Sequence, residues 1–161
     1  MKLARAVHFD ESDMNVLHNP ARTGEWCIAG GFEFSDFTEA DLVGKVRQAF
    51  TNGWLGLETF GRTTFVAVTQ VEPREIEALA QSLAHHFVER YGAPALDAAL
   101  PVAQEELRQM TELCDEHDPG TVITVARELT GSGVKETFRI IEPRAAALDQ
   151  FAVHGNLDPE P

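Results

Sequence analysis

Turn sequences that join pairs of β-rich runs are the feature of this chain that most limits its fold. The pairs are 54–59 with 62–71 around Phe60-Gly61, and 121–129 with 134–141 around Thr130-Gly131-Ser132-Gly133. Short glycine-rich turns between β-branched and aromatic runs are typical of β-hairpins. Hairpins produce antiparallel strands, whereas parallel sheets need alternating strand and helix units. The chain is therefore predicted to build an antiparallel sheet.

The remaining segments add two strands and about three helices to this sheet. Period-two alternation predicts a strand at 2–9, and aromatic and β-branched residues predict another at 25–34, with a loop at 10–24 between them. Apolar residues at helical spacing predict helices at about 39–51, at 73–91, and up to His117 with Pro101 near the start or marking a break. The predicted class is α+β, an antiparallel sheet built from hairpins with about three helices packed on one face.

The 161-residue length favours one domain, predicted at 1–142, followed by a C-terminal tail at 143–161. The tail is expected to be partly disordered, with a short helical turn after Pro143. Residues 1–8 contain no apolar run long enough for a signal peptide, so we expect a cytoplasmic protein.

Charge excludes several classes of partner. The formal net charge of −13 repels phosphate backbones and anionic lipid surfaces, so neither nucleic acid nor membrane is an expected partner. The two cysteines, Cys27 and Cys114, are too few and too far apart for a disulfide framework or a metal site. We expect both to be buried thiols, and we expect no cofactor and no metal.

One candidate pocket lies between the two longest predicted helices. His86 lies on the flank of the helix at 73–91, and Glu106 and His117 share a flank of the next helix, where Cys114 precedes His117 by three residues. If these helices pack antiparallel, the four side chains bring nitrogen, oxygen and sulfur donors together. The alternative is that Cys114 is an inert core thiol and that His117 helps to end its helix.

A candidate interface lies in the first hairpin, where Trp54, Leu55, Leu57 and Phe60 alternate with glycines. Large aromatic residues are enriched at binding surfaces, but they also dominate cores, so core packing is the alternative. In the second hairpin, Arg127 and Arg139 are expected to pair with Glu128 or Glu136 rather than to bind an anion.

Three segments carry a resemblance to a known family: 49–58 (AFTNGWLGLE), 89–94 (ERYGAP) and 112–117 (ELCDEH). On these segments the chain resembles a small bacterial family described as a domain of unknown function, over about residues 1–142. The resemblance supplies no catalytic motif and no ligand. It implies a cytoplasmic bacterial accessory protein.

Two functions follow from these observations. The first is an accessory or protein-interaction domain without catalytic activity, which the acidic composition and the aromatic hairpin favour. The alternative is a small-molecule or metal-binding protein, or an enzyme, with a pocket between the sheet and the helices. We also expect a homodimer, because an antiparallel sheet with an unpaired edge can extend across two copies.

Overall fold

A computed structural model describes residues 1–8, 17 and 19–141 of the chain. The strands in this part are β1 (Lys2–Val7), β2 (Trp26–Ile28), β3 (Trp54–Gly56), β4 (Arg62–Thr63), β5 (Phe65–Gln70), β6 (Val122–Thr130) and β7 (Gly133–Ile141). The α-helices are α1 (Gly44–Asn52), α2 (Pro73–Tyr91) and α3 (Leu96–Asp115). None of the described helices is long and apolar enough to cross a membrane. Most of the predicted loop at 10–24, and the whole predicted tail at 143–161, lie outside the described residues.

The seven strands form one antiparallel sheet in the order β4-β3-β2-β1-β5-β6-β7. The first strand of the chain lies in the middle, where Ala4 is paired with Cys27 on one side and Val68 on the other. The predicted α+β class with an antiparallel sheet is confirmed. The second predicted hairpin is also confirmed, since β6 and β7 pair along their full length around Gly131-Ser132.

The sheet is strongly curled. Trp54 on β3 stacks on Phe138 on β7, with ring centroids 5.6 Å apart, although four strands separate β3 from β7 in the sheet order. Trp54 is fully buried, and the main core cluster extends from there to α2 and α3. The curl therefore brings side chains from distant strands into one interior.

Helix α2 has the predicted bounds because both ends carry strong local signals. Pro73 occupies the first turn, and Glu72 and Glu75 form a capping box. Gly92 ends the helix in the left-handed conformation with φ 74°. Helix α3 packs against α2 and begins at Leu96, so Pro101 lies near its start, which was one of the two predicted positions. It ends at Asp115, two residues before the predicted end at His117.

Two predicted elements near the N-terminus have different structures. The predicted strand at 25–34 ends at Ile28, because Gly30 (φ 70°) turns the chain into a 3₁₀ helix at Gly31–Phe34. The predicted helix at 39–51 is divided into a 3₁₀ turn at Glu39–Asp41 and α1. Val43, between them, is extended, and Gly44 begins α1 with φ 57°, a conformation that interrupts a right-handed helix.

The first predicted hairpin is correct only in part. Its second strand divides at Thr64: β4 pairs with β3, whereas β5 leaves the hairpin and pairs with β1 in the middle of the sheet. The amino-acid pattern of 62–71 is continuous, so only the partner strands reveal the division.

Candidate functional site

Two buried arginines lie where the curled sheet meets the end of α1. Arg62 and Arg127 are only 5% and 4% exposed. Nη1 of Arg62 donates hydrogen bonds to the carbonyl oxygens of Gly53 (3.0 Å) and Ala29 (3.2 Å). Nη1 of Arg127 donates to the same Gly53 oxygen (2.8 Å) and to that of Phe50 (2.9 Å). The two guanidinium groups therefore hold together backbone segments that belong to different elements.

Each arginine also has a carboxylate partner. Arg62 Nη2 lies 2.5 Å from Glu33 Oε1, and Arg127 Nε lies 2.7 Å from Glu136 Oε2. The second pair confirms the predicted pairing of Arg127. Burial lowers the pKa of Arg127 to about 10, while Glu136 favours its charged form. Both buried charges are thus paired and hydrogen-bonded, as burial requires.

Glycine makes this close packing feasible. A Cβ atom on Gly53 would lie 2.6 Å from the carbonyl oxygen of Ala49, and a Cβ on Gly31 would lie 2.3 Å from Glu136 Oε2. Any larger residue at either position would force the backbone or the ion pair apart. The arginines therefore depend on glycines as well as on acidic partners.

Glu33 is the centre of a second group of side chains, which we call the Glu33 cluster: Glu33, Arg62, His86 and Tyr91. The Tyr91 hydroxyl donates a short hydrogen bond to Glu33 Oε2, and His86 Nε2 lies 3.9 Å from the same oxygen. The His86 side chain is 10% exposed, and its Nε2 has no hydrogen-bond partner among the described residues. Burial lowers the pKa of His86, although Glu33 opposes this effect, and burial raises the pKa of Tyr91.

Phe60 connects the Glu33 cluster to a surface cleft. Its ring stacks on the His86 ring, with centroids 3.8 Å apart and an interplanar angle of 1°. Phe60 has φ 57°, an unfavourable conformation for a bulky residue. It lines a cleft of about 200 Å³, together with Glu33, Arg62 and Lys45. This is the part of the described structure where titratable groups, backbone strain and a concave surface coincide.

Glu25 is a further buried acid that the sequence analysis did not single out. Its Oε2 accepts hydrogen bonds from the backbone amides of Glu58 and Thr59, each at 2.9 Å, and its Oε1 accepts one from the amide of Arg22 at 2.7 Å. Burial raises its pKa, but these hydrogen bonds outweigh burial and leave the pKa below the usual value. Glu25 thus fixes the turn between β3 and β4. No spacing in the sequence links Glu25 to this turn.

The four residues of the predicted pocket have different surroundings. His86 belongs to the Glu33 cluster. Glu106 lines a small cavity of about 100 Å³ with Glu136 and Phe138, where burial and then the charge of Glu136 raise its pKa. Cys114 is fully buried in the main core, and burial raises its pKa to about 12. The carbonyl oxygen of His117 accepts a hydrogen bond from Lys2 Nζ at 2.8 Å.

No group of three or more His, Cys, Asp or Glu side chains within the described part of the chain is placed to hold a metal ion. Cys27, like Cys114, is a fully buried free thiol whose pKa burial raises. Thiolates are the reactive form of cysteine, so both thiols are in unreactive surroundings.

Burial also separates the residues of the predicted interface. Trp54 and Leu55 are fully buried and Leu57 is 3% exposed, so these three side chains belong to the core and form no docking surface. The sequence could not distinguish these alternatives because aromatic residues serve both roles. Phe60 is the one residue of the four with appreciable exposure.

An edge strand with two exposed apolar side chains is found instead at β7. This nine-residue strand is at the end of the sheet, and no described strand pairs with its outer edge. Two of its large side chains, Phe138 and Ile140, are 38% and 40% exposed. Long edge strands with exposed apolar side chains are ready to pair with another strand.

Comparisons with known proteins supply a family but no relative of known function. A family model described as "Family of unknown function (DUF6505)" matches residues 1–159. No curated protein and no solved structure matches the chain.

Proposed function

The chain belongs to the family of unknown function DUF6505, and we propose that it is a protein-interaction domain without catalytic activity, which binds its partner along the outer edge of β7. The observation that carries the proposal is the nine-residue edge with the exposed side chains of Phe138 and Ile140. An added strand would satisfy the outer backbone groups of β7, and its side chains would cover the apolar ones.

The state of the buried charged groups supports a role without catalysis. Arg62 and Arg127 donate hydrogen bonds to backbone carbonyls and form ion pairs with the carboxylates of Glu33 and Glu136. Donors that already bind backbone carbonyls and carboxylates are poor candidates for substrate contacts.

The charge of the edge supports a protein partner. The chain as a whole carries −13, but β7 carries two cations, Lys135 and Arg139, against one anion, Glu136. The general repulsion between acidic surfaces is therefore reduced at this edge. The proposed setting is the bacterial cytoplasm, in agreement with the sequence-based expectation.

The test compares two charge insertions at exposed apolar positions. Ile140→Glu places a charge on the β7 edge, and Val102→Glu places the same charge on α3, where Val102 is 53% exposed. We expect native mass spectrometry of the gently purified chain to show an associated protein, either a second copy or another chain. Ile140→Glu should lose this association and Val102→Glu should keep it. Association that survives Ile140→Glu would contradict the proposal.

A second candidate function is the binding of a small molecule in the cleft beside Phe60. The specific observation is the buried, unpartnered Nε2 of His86 behind a strained Phe60. Strained residues and perturbed titratable groups concentrate at ligand sites. Under this alternative, native mass spectrometry shows an added small mass that Phe60→Gly loses and Ile140→Glu retains. A chain that carries no added small mass in any variant would remove this candidate.

A further inference from the structure

We infer that the partner at the β7 edge is a second copy of the chain, whose β7 pairs antiparallel with this β7 so that Phe138 lies directly opposite the partner's Phe138. This inference rests on the proposed function and adds the identity of the partner and the register of the contact. It follows from the direction of the backbone groups and from the charges along the strand.

The hydrogen bonds of β6 fix which backbone groups of β7 point outward. The amide of Val68 on β5 donates to the carbonyl of Thr121 (2.9 Å), and Asn52 Nδ2 donates to the carbonyl of Val125 (3.0 Å). Odd-numbered residues of β6 therefore direct their backbone groups away from β7, and even-numbered ones direct them towards it. Ala126 is paired with Thr137, so Thr137 bonds inward.

The backbone groups of the even-numbered residues of β7 consequently face outward. These residues are Val134, Glu136, Phe138 and Ile140. An antiparallel partner must align its own outward residues with them, so that each aligned pair exchanges two backbone hydrogen bonds. One copy of β7 can therefore slide along the other only in steps of two residues. Each step moves the centre of the symmetric contact by one residue.

Charge selects among these registers. Centring the contact on Thr137 would place Lys135 opposite the partner's Arg139 twice, and centring it on Glu136 would place two carboxylates opposite each other. Centring it on Lys135 or Arg139 would oppose two cations. Like charges directly opposite destabilise a strand pair. The register centred on Phe138 pairs residues 135–141 without such an opposition. The registers centred on residues 134 and 140 also avoid it, but each pairs only three residues of each β7.

The selected register also buries the exposed apolar side chains. Phe138 is opposite the partner's Phe138, and Ile140 is opposite the partner's Glu136, whose carboxylate is held by Arg127 within its own chain. Aromatic pairs across two strands are among the favourable ones. The two exposed apolar side chains of β7, Phe138 and Ile140, then both lie in the contact.

The test is disulfide formation at a single introduced cysteine. Residues directly opposite in an antiparallel hydrogen-bonded pair have Cα atoms about 5.5 Å apart, within the range of a disulfide. Phe138→Cys should therefore form a covalent dimer under mild oxidation. Ile140→Cys is the matched control, because the two copies of residue 140 are offset by four positions, or about 14 Å. The native thiols, Cys27 and Cys114, are fully buried, so we expect them to form no disulfide between copies.

A second variant keeps the test independent of the stability of Phe138→Cys. Ile140→Pro removes one outward amide and leaves the bonds between β6 and β7 intact, because the amide of residue 140 faces away from β6. Sedimentation should show a dimer for the wild type and a monomer for Ile140→Pro, with unchanged far-UV circular dichroism.

Three results are distinguishable. A covalent dimer from Phe138→Cys and little from Ile140→Cys supports the inference. A wild-type dimer that crosslinks better through Ile140→Cys overturns the Phe138 register while the edge still serves as the contact. A wild type that sediments as a monomer overturns the inference, and the comparison of Ile140→Glu with Val102→Glu then decides the proposed function separately.

Discussion

The two edge strands of the sheet, β4 and β7, differ in whether their outer backbone groups are hydrogen-bonded. β4 is only two residues long, and its outer backbone groups are already used: the amide of Arg62 donates to the carbonyl of Asn19, and the amide of Ala21 donates to the carbonyl of Arg62, each at 2.8 Å. β7 is nine residues long, and no such bond covers it among the described residues. The closed edge, β4, thus carries the buried side chain of Arg62, and the open edge, β7, carries the exposed side chains of Phe138 and Ile140.

This comparison shows that a long-range polar network can replace a partner strand. At the β4 edge, Glu25 fixes the turn and Arg62 ties the strand to β2 and α1, so the edge needs no further strand. The outer side of β7 has no comparable set of described contacts. Association is therefore expected at β7, and changes at β4 are expected to affect the stability of the fold.

The largest effect is expected for Arg62→Leu. This change removes the donor to the carbonyl of Gly30 and one of the two arginine donors to the carbonyls of Gly53 and Ala29. It also leaves Glu33 without its cation, so it should destabilise the fold by about 3–5 kcal/mol. Urea unfolding measures the loss. The control is Arg139→Leu on exposed β7, which should change stability by no more than about 0.5 kcal/mol. Equal losses from both variants would show that the two edges do not differ as described.

Glu25→Gln tests the closed edge at its turn. Hydrogen bonds to a charged acceptor contribute about 1.5–3 kcal/mol, so the loss should be about 2 kcal/mol at neutral pH. Because the pKa of Glu25 is lowered in the folded state, its stabilisation is present above the unfolded pKa and disappears as pH falls through the folded pKa.

The difference between the wild type and Glu25→Gln should therefore shrink on acidification below about pH 4.5. The control is Glu58→Gln, since the Glu58 side chain is 63% exposed and should contribute little. A difference that grows on acidification would contradict the role given to the Glu25 hydrogen bonds.

Phe138→Ala tests the open edge. It removes the ring that stacks on Trp54, so the loss should be about 1–2 kcal/mol, and it should also weaken association. Ile140→Ala should weaken association with a smaller loss of stability, because that change leaves the ring stacking in place. Thermal unfolding and sedimentation give the two quantities. If Phe138→Ala lowered stability but left association unchanged, the two roles of β7 would be separable.

The smallest expected effect is the pH dependence from His86. Burial lowers its pKa in the folded state, so the unfolded state takes up the proton first as pH falls. Wild-type stability should therefore decrease as pH falls through about 6.5 towards the folded pKa. Urea unfolding from pH 8 to 5 should show a shallower dependence for His86→Phe than for the wild type. A steeper dependence in the variant would contradict the burial argument.

Local signals explain which elements could be predicted from the sequence. The bounds of α2 follow from Pro73 and Gly92, and the β6–β7 hairpin follows from its turn and its alternating pattern. The errors are also local in origin: the aromatic pattern of 25–34 suits a strand, but Gly30 turns the chain before the pattern ends. Of the candidate site, the sequence indicated His86, Phe60 and the pairing of Arg127.

The sequence alone determined the class of the fold, because hairpin turns and apolar periodicity act over a few residues. Only the tertiary structure decided the site and the edges. Glu33 meets Arg62 and Tyr91 across 29 and 58 residues of chain, and Arg127 reaches Ala29 across 98. Such contacts depend on the order and curl of the strands. The exposure of the β7 edge has the same origin, because a strand is an edge only by its position in the sheet.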